Sequence, residues 1–129
     1  MNSVLCKTFT AKATIGLERG YSKKRISVSE FKKALLHAQE CIKVQQQIAL
    51  SAQLTRCEIL FLGQEEPAME LQFIQYPKFP QQEAVLKEAI TALVQLMMLA
   101  LEQNRVVIVF TDETLMLEQL AAIDPSIRL

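Results

Sequence analysis

Polar and apolar residues alternate strictly between Thr8 and Ile15. Such alternation is typical of a β-strand that is buried on one side. After a charged loop, apolar residues recur every three or four positions over residues 28–49, which predicts an amphipathic helix. Ser27 and Glu30 match a capping box at the start of this helix. The apolar face of the first strand is made of Phe9, Ala11, Ala13, Ile15 and Leu17.

Two further strand patterns follow, at residues 54–62 and 68–76. The five residues Gly63–Pro67 between them suit a hairpin, so we expect the two strands to be antiparallel neighbours. We expect one apolar face of this hairpin, and a second face that mixes charged and apolar residues. The apolar face is assigned to Cys57, Ile59, Phe61, Met69, Leu71 and Phe73.

The last third of the chain predicts another helix and another strand. Pro80 suits the first turn of a helix over residues 81–103, and Asn104 is a plausible left-handed stop. Residues 105–110 form a continuous β-branched run, which is typical of a strand covered on both faces. After it, Thr114–Leu117 alternates weakly and predicts a short fifth strand or a turn of helix.

The order of these elements is strand, helix, strand, strand, helix, strand. Two interleaved βαβ units in this order predict an α+β fold, the ferredoxin-like βαββαβ sandwich, with one antiparallel sheet and two helices on one face. The expected strand order is 4-1-3-2, with a possible short fifth strand. We expect residues 1–129 to form a single domain, with a core at about 5–118 and a C-terminal tail at about 119–129.

In this strand order the last strand lies at an edge of the sheet. A long apolar edge promotes association unless it is covered. Either the following segment or another subunit is therefore expected to pair with residues 105–110. Together with the half-apolar outer face, this predicts a homo-oligomer, a dimer or trimer, through strand 105–110 and the outer sheet face.

Composition narrows the class of protein. Half of the 129 residues are apolar and the net charge is zero, which argues against a disordered chain and against a dedicated nucleic-acid binder. No apolar run approaches the roughly 20 residues that span a bilayer, and residues 1–7 lack the apolar stretch of a signal peptide. We therefore expect a cytoplasmic protein with no membrane or nucleic-acid partner. The three cysteines form no metal-binding spacing and are interpreted as small buried apolar residues.

Charge is unevenly spread along the neutral chain. Residues 1–30 hold six basic and two acidic residues, a net charge of +4, so the remainder carries −4. Most of this basic charge lies in the loop Gly16–Arg25. We expect the first and third strands to be parallel neighbours, so this loop lies beside Tyr76–Pro80 at the N-termini of both helices, where anions bind. The candidate ligand-binding residues are Arg19, Tyr21, Lys23, Lys24, Arg25, Tyr76 and Lys78.

Two other constellations have less support. His37 and Cys41 are four residues apart, but a metal site needs further ligands, so no metal and no other cofactor is expected. Asp112 and Glu113 follow the buried strand and could act as acid and base, although adjacent carboxylates there are more often turn residues.

We therefore predict a small oligomeric binding protein that holds a small anion or anionic metabolite at the loop after the first strand. The alternative is a structural or interaction module with no small-molecule ligand. An enzyme that uses Asp112 or Glu113 is a third possibility, and a protein without catalytic activity is favoured over it.

Three known families resemble parts of this pattern. The loop Gly16–Tyr21 resembles the glycine-rich phosphate cradle of acylphosphatases. That family also uses an asparagine on its second strand, and here the only asparagines are Asn2 and Asn104, so acylphosphatase activity is not expected. The overall order of elements resembles the PII signalling proteins and the CutA family, and this resemblance implies a trimer. Fold alone does not determine function.

Overall fold

The computed structural model describes residues 1–127. Its strands form one antiparallel sheet in the order β2-β3-β1-β4-β5. This confirms the α+β, ferredoxin-like arrangement and the short fifth strand; residues 128–129 of the predicted tail lie outside the described residues. The elements are β1 (Thr10–Gly16), α1 (Val28–Gln46), β2 (Gln53–Phe61), β3 (Gln64–Ile74), α2 (Glu83–Ala100), β4 (Arg105–Phe110) and β5 (Thr114–Glu118).

The core lies between the helices and one face of the sheet. The inward side chains of β1 are fully buried, and its small alanines, Ala11 and Ala13, allow close packing over this face. Ser27 caps α1, since its hydroxyl oxygen accepts a hydrogen bond of 3.0 Å from the backbone N–H of Glu30. The alternation in the sequence thus correctly identified the buried face of β1.

Strands β1 and β3 are antiparallel, and the expectation that they are parallel is wrong. Thr10 pairs with Ile74, and Gly16 pairs with Ala68. The reason is topological: β2 returns parallel to β1 through the helix, and the hairpin then reverses the chain for β3. The loop after β1 and the loop after β3 therefore leave opposite ends of the sheet.

The β2–β3 turn is shorter than predicted. Leu62 and Gly63 both have positive φ angles, 49° and 83°, which is the backbone of a two-residue hairpin turn. Gln64–Pro67 consequently belongs to β3, where it pairs with β2. Proline is accepted there because this end of β3 extends past the ladder with β1, and the carbonyl of Pro67 accepts a 2.8 Å bond from Leu17.

The predicted faces of β2 and β4 also need correction. Cys57 pairs with Ala68 in the β2–β3 register, so Cys57, Ile59 and Phe61 lie on the outer face, opposite to Met69, Leu71 and Phe73. In β4 only alternate residues are buried, and Val107 and Val109 are exposed on the outer face. Periodicity alone did not show which face of these strands is buried, because each strand carries apolar residues on both of its faces.

Strand β5 covers the edge of β4, with Val107 paired to Met116. Of the two expected solutions for this edge, the chain therefore uses its own segment, and the edge of β4 is not open to another subunit. At the end of α2 the left-handed residue is Glu102, with φ 53°, and not the predicted Asn104. Among residues 1–127, no helix has both the length and the hydropathy needed to cross a membrane.

Candidate functional site

A cleft of about 430 Å³ opens on the outer face of the sheet. It lies where β1 ends and where β3 and β4 begin, and its size is within the range of small-molecule sites. The loop after β1 and the C-terminal segment form its rim. The lining of the cleft includes Tyr21, Lys23, Glu18, Glu66, Asp124 and the outward residues of β4.

Beside the cleft, Gly16 leaves a recess that two of the lining side chains, Glu66 and Gln103, approach. A Cβ atom at this position would collide with the carboxylate of Glu66 and would lie 3.3 Å from Oε1 of Gln103. The φ of Gly16 is not positive, so this glycine serves for space and not for backbone conformation. The Glu66 carboxylate therefore lies directly against the backbone of β1.

Three carboxylates share the cleft. Burial raises the pKa of Glu66, and the negative charges of Glu18 and Asp124 raise it further, while Lys23 opposes them. Asp124 differs, because bonds from the backbone and hydroxyl of Ser126 hold its pKa below the ordinary value. The ionised form of Glu66 is thus disfavoured, and a bound cation would relieve that cost.

The other charges around the cleft are largely matched. Arg105 donates a 2.6 Å bond to Glu118, and Lys12 lies 3.9 Å from Glu70. Glu18 is only 8 % exposed and its carboxylate lies 3.6 Å from the guanidinium of Arg25. Within residues 1–127, no ion pair joins Glu66 to a basic side chain.

The walls of the cleft are rigid and partly apolar. The buried amide of Gln103 donates to the carbonyls of Glu18 and Leu101 at 2.8 and 3.0 Å, which fixes the backbone behind the recess. The Tyr21 hydroxyl accepts a 2.9 Å bond from Asn104. Apolar wall surface comes from Ile59, Val106, Val107, Val109 and Ile127.

The basic loop is folded on itself and is not an open anion cradle. Arg19 binds Glu30 and Glu102 and also donates to the carbonyl of Ala100 at the C-terminal end of α2. These carboxylates raise the pKa of Arg19, Glu30 contributing most. The loop therefore lies at the start of α1 but at the end of α2, and not at two helix N-termini.

The structure separates the seven predicted ligand-binding residues. Tyr21 and Lys23 line the cleft. Arg19 is held in its ion pairs, Arg25 contacts Glu18, and the exposed Lys24 contributes its carbonyl to the loop. Tyr76 and Lys78 lie beyond the opposite end of β1, because β3 runs antiparallel to it.

The sequence reasoning missed Glu66, Glu18 and Asp124. Glu66 was assigned to the turn Gly63–Pro67, and Asp124 to the C-terminal tail. One signal was available: a glycine at the end of a strand pattern indicates the close approach of another group. Gly16 has this position, although the sequence does not show which side chain approaches it.

The other two candidate groups, the acidic pair after β4 and the His–Cys pair on α1, make contacts with nearby side chains outside the cleft. Asp112 and Glu113 lie 2.8 and 3.0 Å from Nζ of Lys87, away from the cleft. His37 Nε2 is 3.6 Å from Cys41 Sγ on α1. Across residues 1–127, no group of three or more His, Cys, Asp or Glu side chains is arranged so that it could hold a metal ion.

This geometry suits an organic cation with an apolar part. Carboxylates attract the positive charge, and the walls exclude water from it, which strengthens the attraction. A carboxylate with a raised pKa in such a cleft is also the kind of group found in catalytic sites.

Comparison with known proteins gives structural likenesses. No family model and no curated protein matches the chain. Among solved structures, the chain is similar to a phage SAM lyase in the apo state, with a TM-score of 0.68 and 15% identity over 86% of this chain and 89% of that one. It is also similar to a phage SAM lyase in complex with S-methyl-5'-thioadenosine, with a TM-score of 0.66 and 15% identity over 92% and 95% of the two chains.

At this identity the likeness shows a shared fold. It contradicts the function predicted from the sequence, a non-enzymatic protein that binds a small anion, because both neighbours are lyases of SAM. The basic loop explains the error: its Arg19 and Arg25 are already paired with carboxylates, and the cleft beside it holds three carboxylates as well as basic side chains.

Proposed function

We propose that this protein is a lyase that cleaves S-adenosylmethionine (SAM) in the cleft at the end of β1. The observation that carries the proposal is the Glu66 carboxylate, which lies against Gly16 and lines a cleft with two further carboxylates and a partly apolar wall. Support comes from the fold, which is shared with SAM lyases over most of the chain.

The charge of SAM fits the carboxylates of the cleft. SAM carries a sulfonium and an ammonium group, and both would be attracted by Glu66, Glu18 and Asp124. The adenosyl part is flat and apolar, and suits the wall formed by Val107 and Val109. In this proposal, Glu66 holds the positively charged part of the substrate against β1.

The expected product defines the bond that breaks. S-methyl-5'-thioadenosine retains the adenosyl group, the sulfur and the methyl group, so the bond from sulfur to the amino-acid side chain is cleaved. Sulfur keeps the electron pair of the broken bond and leaves as a neutral thioether. The carboxylate of the amino-acid part forms the new carbon–oxygen bond at the same carbon and closes a lactone, so no water is consumed. Because the sulfonium charge disappears, dry walls favour the reaction, and the carboxylates hold the neutral product less tightly.

The test is the conversion of SAM by the purified protein, followed by liquid chromatography and mass spectrometry. We expect one S-methyl-5'-thioadenosine for each SAM lost, and a fall in rate of about 100-fold or more in Glu66→Gln. Glu65→Gln is the matched control, since Glu65 is the exposed neighbour on the opposite side of the same strand, and its rate should stay near that of the native protein. Native protein that forms no S-methyl-5'-thioadenosine would refute the proposal.

Two earlier predictions accompany this proposal. The cytoplasmic location stays a prediction. The homo-oligomer also stays a prediction, now through the outer sheet face only, where Ile74, Val107 and Val109 are 40–53 % exposed. Light scattering at micromolar concentration tests it, and a mass of 14.6 kDa, that of one chain, would contradict it.

A further inference from the structure

The C-terminal segment after β5 is fastened at Ala122. Its carbonyl oxygen accepts hydrogen bonds from Tyr21 at 3.1 Å, from Asn104 at 3.3 Å and from Arg105 at 3.3 Å. Asn104 also exchanges two bonds with the backbone of Leu120, at 2.8 and 3.0 Å. Three donors on one carbonyl fix the point from which the chain continues towards the cleft.

Beyond Ala122 the described chain forms a small turn over the cleft. Asp124 and Ile127 line the cleft, and within residues 123–127 the hydrogen bonds are internal to the turn. Both bonds from Ser126, at 2.9 and 2.8 Å, end on Oδ1 of Asp124. One carboxylate oxygen thus holds the turn, and within residues 1–127 no hydrogen bond or ion pair ends on the other.

We propose that Asp124 is a substrate-binding residue that the C-terminal turn carries to the cleft, and that it selects the cationic substrate over the neutral product. This inference rests on the proposed function. The turn brings a negative charge from the segment after β5 into the cleft that Glu66 also lines. Lys23 is the basic side chain near both carboxylates, and it limits their mutual repulsion without replacing a bound cation.

A comparison of the cationic substrate with the neutral product distinguishes an electrostatic role of Asp124 from a structural role. An electrostatic contact with a sulfonium or ammonium group strengthens binding of SAM but not of S-methyl-5'-thioadenosine, which carries no positive charge. A contact that only shapes the cleft affects both molecules alike. The variant Asp124→Asn keeps the oxygen that accepts the bonds from Ser126, so the turn is retained while the charge is removed.

The experiment measures the KM for SAM, kcat, and the inhibition constant of S-methyl-5'-thioadenosine in the native protein, Asp124→Asn and Asp124→Glu. We expect Asp124→Asn to raise the KM for SAM about tenfold, the usual size for loss of a charged hydrogen bond. The inhibition constant should change less than about twofold, and Asp124→Glu should recover part of the loss. Asp112→Asn, in the distant acidic pair, is the control for removal of one negative charge.

The outcomes are distinct. Equal losses for both ligands, or no change for either, would overturn the role of Asp124 while a native protein that converts SAM leaves the proposed function intact. A native protein that neither converts SAM nor is protected by it against thermal unfolding overturns the proposed function, and this inference with it.

Discussion

The acidic side chains at the two ends of the sheet differ in how their charge is matched. At one end, Asp112 and Glu113 both contact Lys87, whose Nζ also lies 5.4 Å from the ring centre of Phe110. Lys87 lowers the pKa of Asp112. At the other end, burial and neighbouring carboxylates raise the pKa of Glu66.

This difference separates a structural role from a functional one. When an acidic pair shares a lysine, folding already provides a positive charge for both carboxylates, so neither needs a ligand to balance it. A carboxylate placed among other carboxylates costs the fold stability, and such conflicts concentrate at functional sites. Adjacency in sequence drew attention to Asp112 and Glu113, whereas the conflict between distant residues identifies Glu66.

The largest expected effect comes from filling the recess. Gly16→Ala places a methyl group against the Glu66 carboxylate, which lies at the end of a flexible side chain and can move away. We therefore expect an activity loss of about 100-fold from the displaced carboxylate and a destabilisation of only about 1 kcal/mol, the low end for overpacking. Chemical denaturation and the SAM assay measure these effects. The double variant Gly16→Ala/Glu66→Ala should recover part of the stability, and purely additive losses would contradict direct contact between the two sites.

A smaller effect is expected from removing the shared lysine. Lys87→Met keeps an apolar chain of similar length but leaves Asp112 and Glu113 without their cation. We expect a lower melting temperature, by less than in Gly16→Ala, and a difference that shrinks at high salt because exposed charges are screened. The rate of SAM cleavage should stay unchanged. A fall in rate comparable to that of Glu66→Gln would make the matched cluster functional and break the comparison.

The smallest effects have opposite signs at the two ends. The pKa of Glu66 is raised above 4.5 in the folded state, so its ionised form lowers stability at neutral pH, and that cost disappears as pH falls below 4.5. Glu66→Gln should therefore unfold at a higher temperature than the native protein at neutral pH, with the gain lost in acid. The pKa of Asp112 is lowered below 3.8, so its contribution is present above 3.8 and is lost as pH falls through the lowered value.

Asp112→Asn should accordingly unfold at a lower temperature at neutral pH, and this deficit should also vanish in acid. Thermal unfolding followed by circular dichroism from neutral pH to about pH 3 tests both variants. Shifts of the same sign in the two variants at neutral pH would show that the two clusters do not differ in the way described.

Much of the fold could be predicted from local patterns. The alternation at Thr8–Ile15, the capping pair Ser27 and Glu30 and the β-branched run at 105–110 each act within a few residues, and each led to an element that the structure contains. The direction of β3 and the outward faces of β2 and β4 were not predicted correctly. They depend on how the chain returns after a turn, and a one-residue change in register exchanges the two faces of a strand.

The candidate site was decided by the tertiary structure. The basic loop was conspicuous in the sequence, but folding pairs Arg19 and Arg25 with carboxylates and leaves Tyr21 and Lys23 at the cleft. The cleft brings together the end of β1, the start of β3 and the segment after β5, and no local sequence pattern relates these three segments. The sequence determined the elements because periodicity and capping are local. The tertiary structure decided the site because burial and electrostatic conflict arise only when distant residues approach one another.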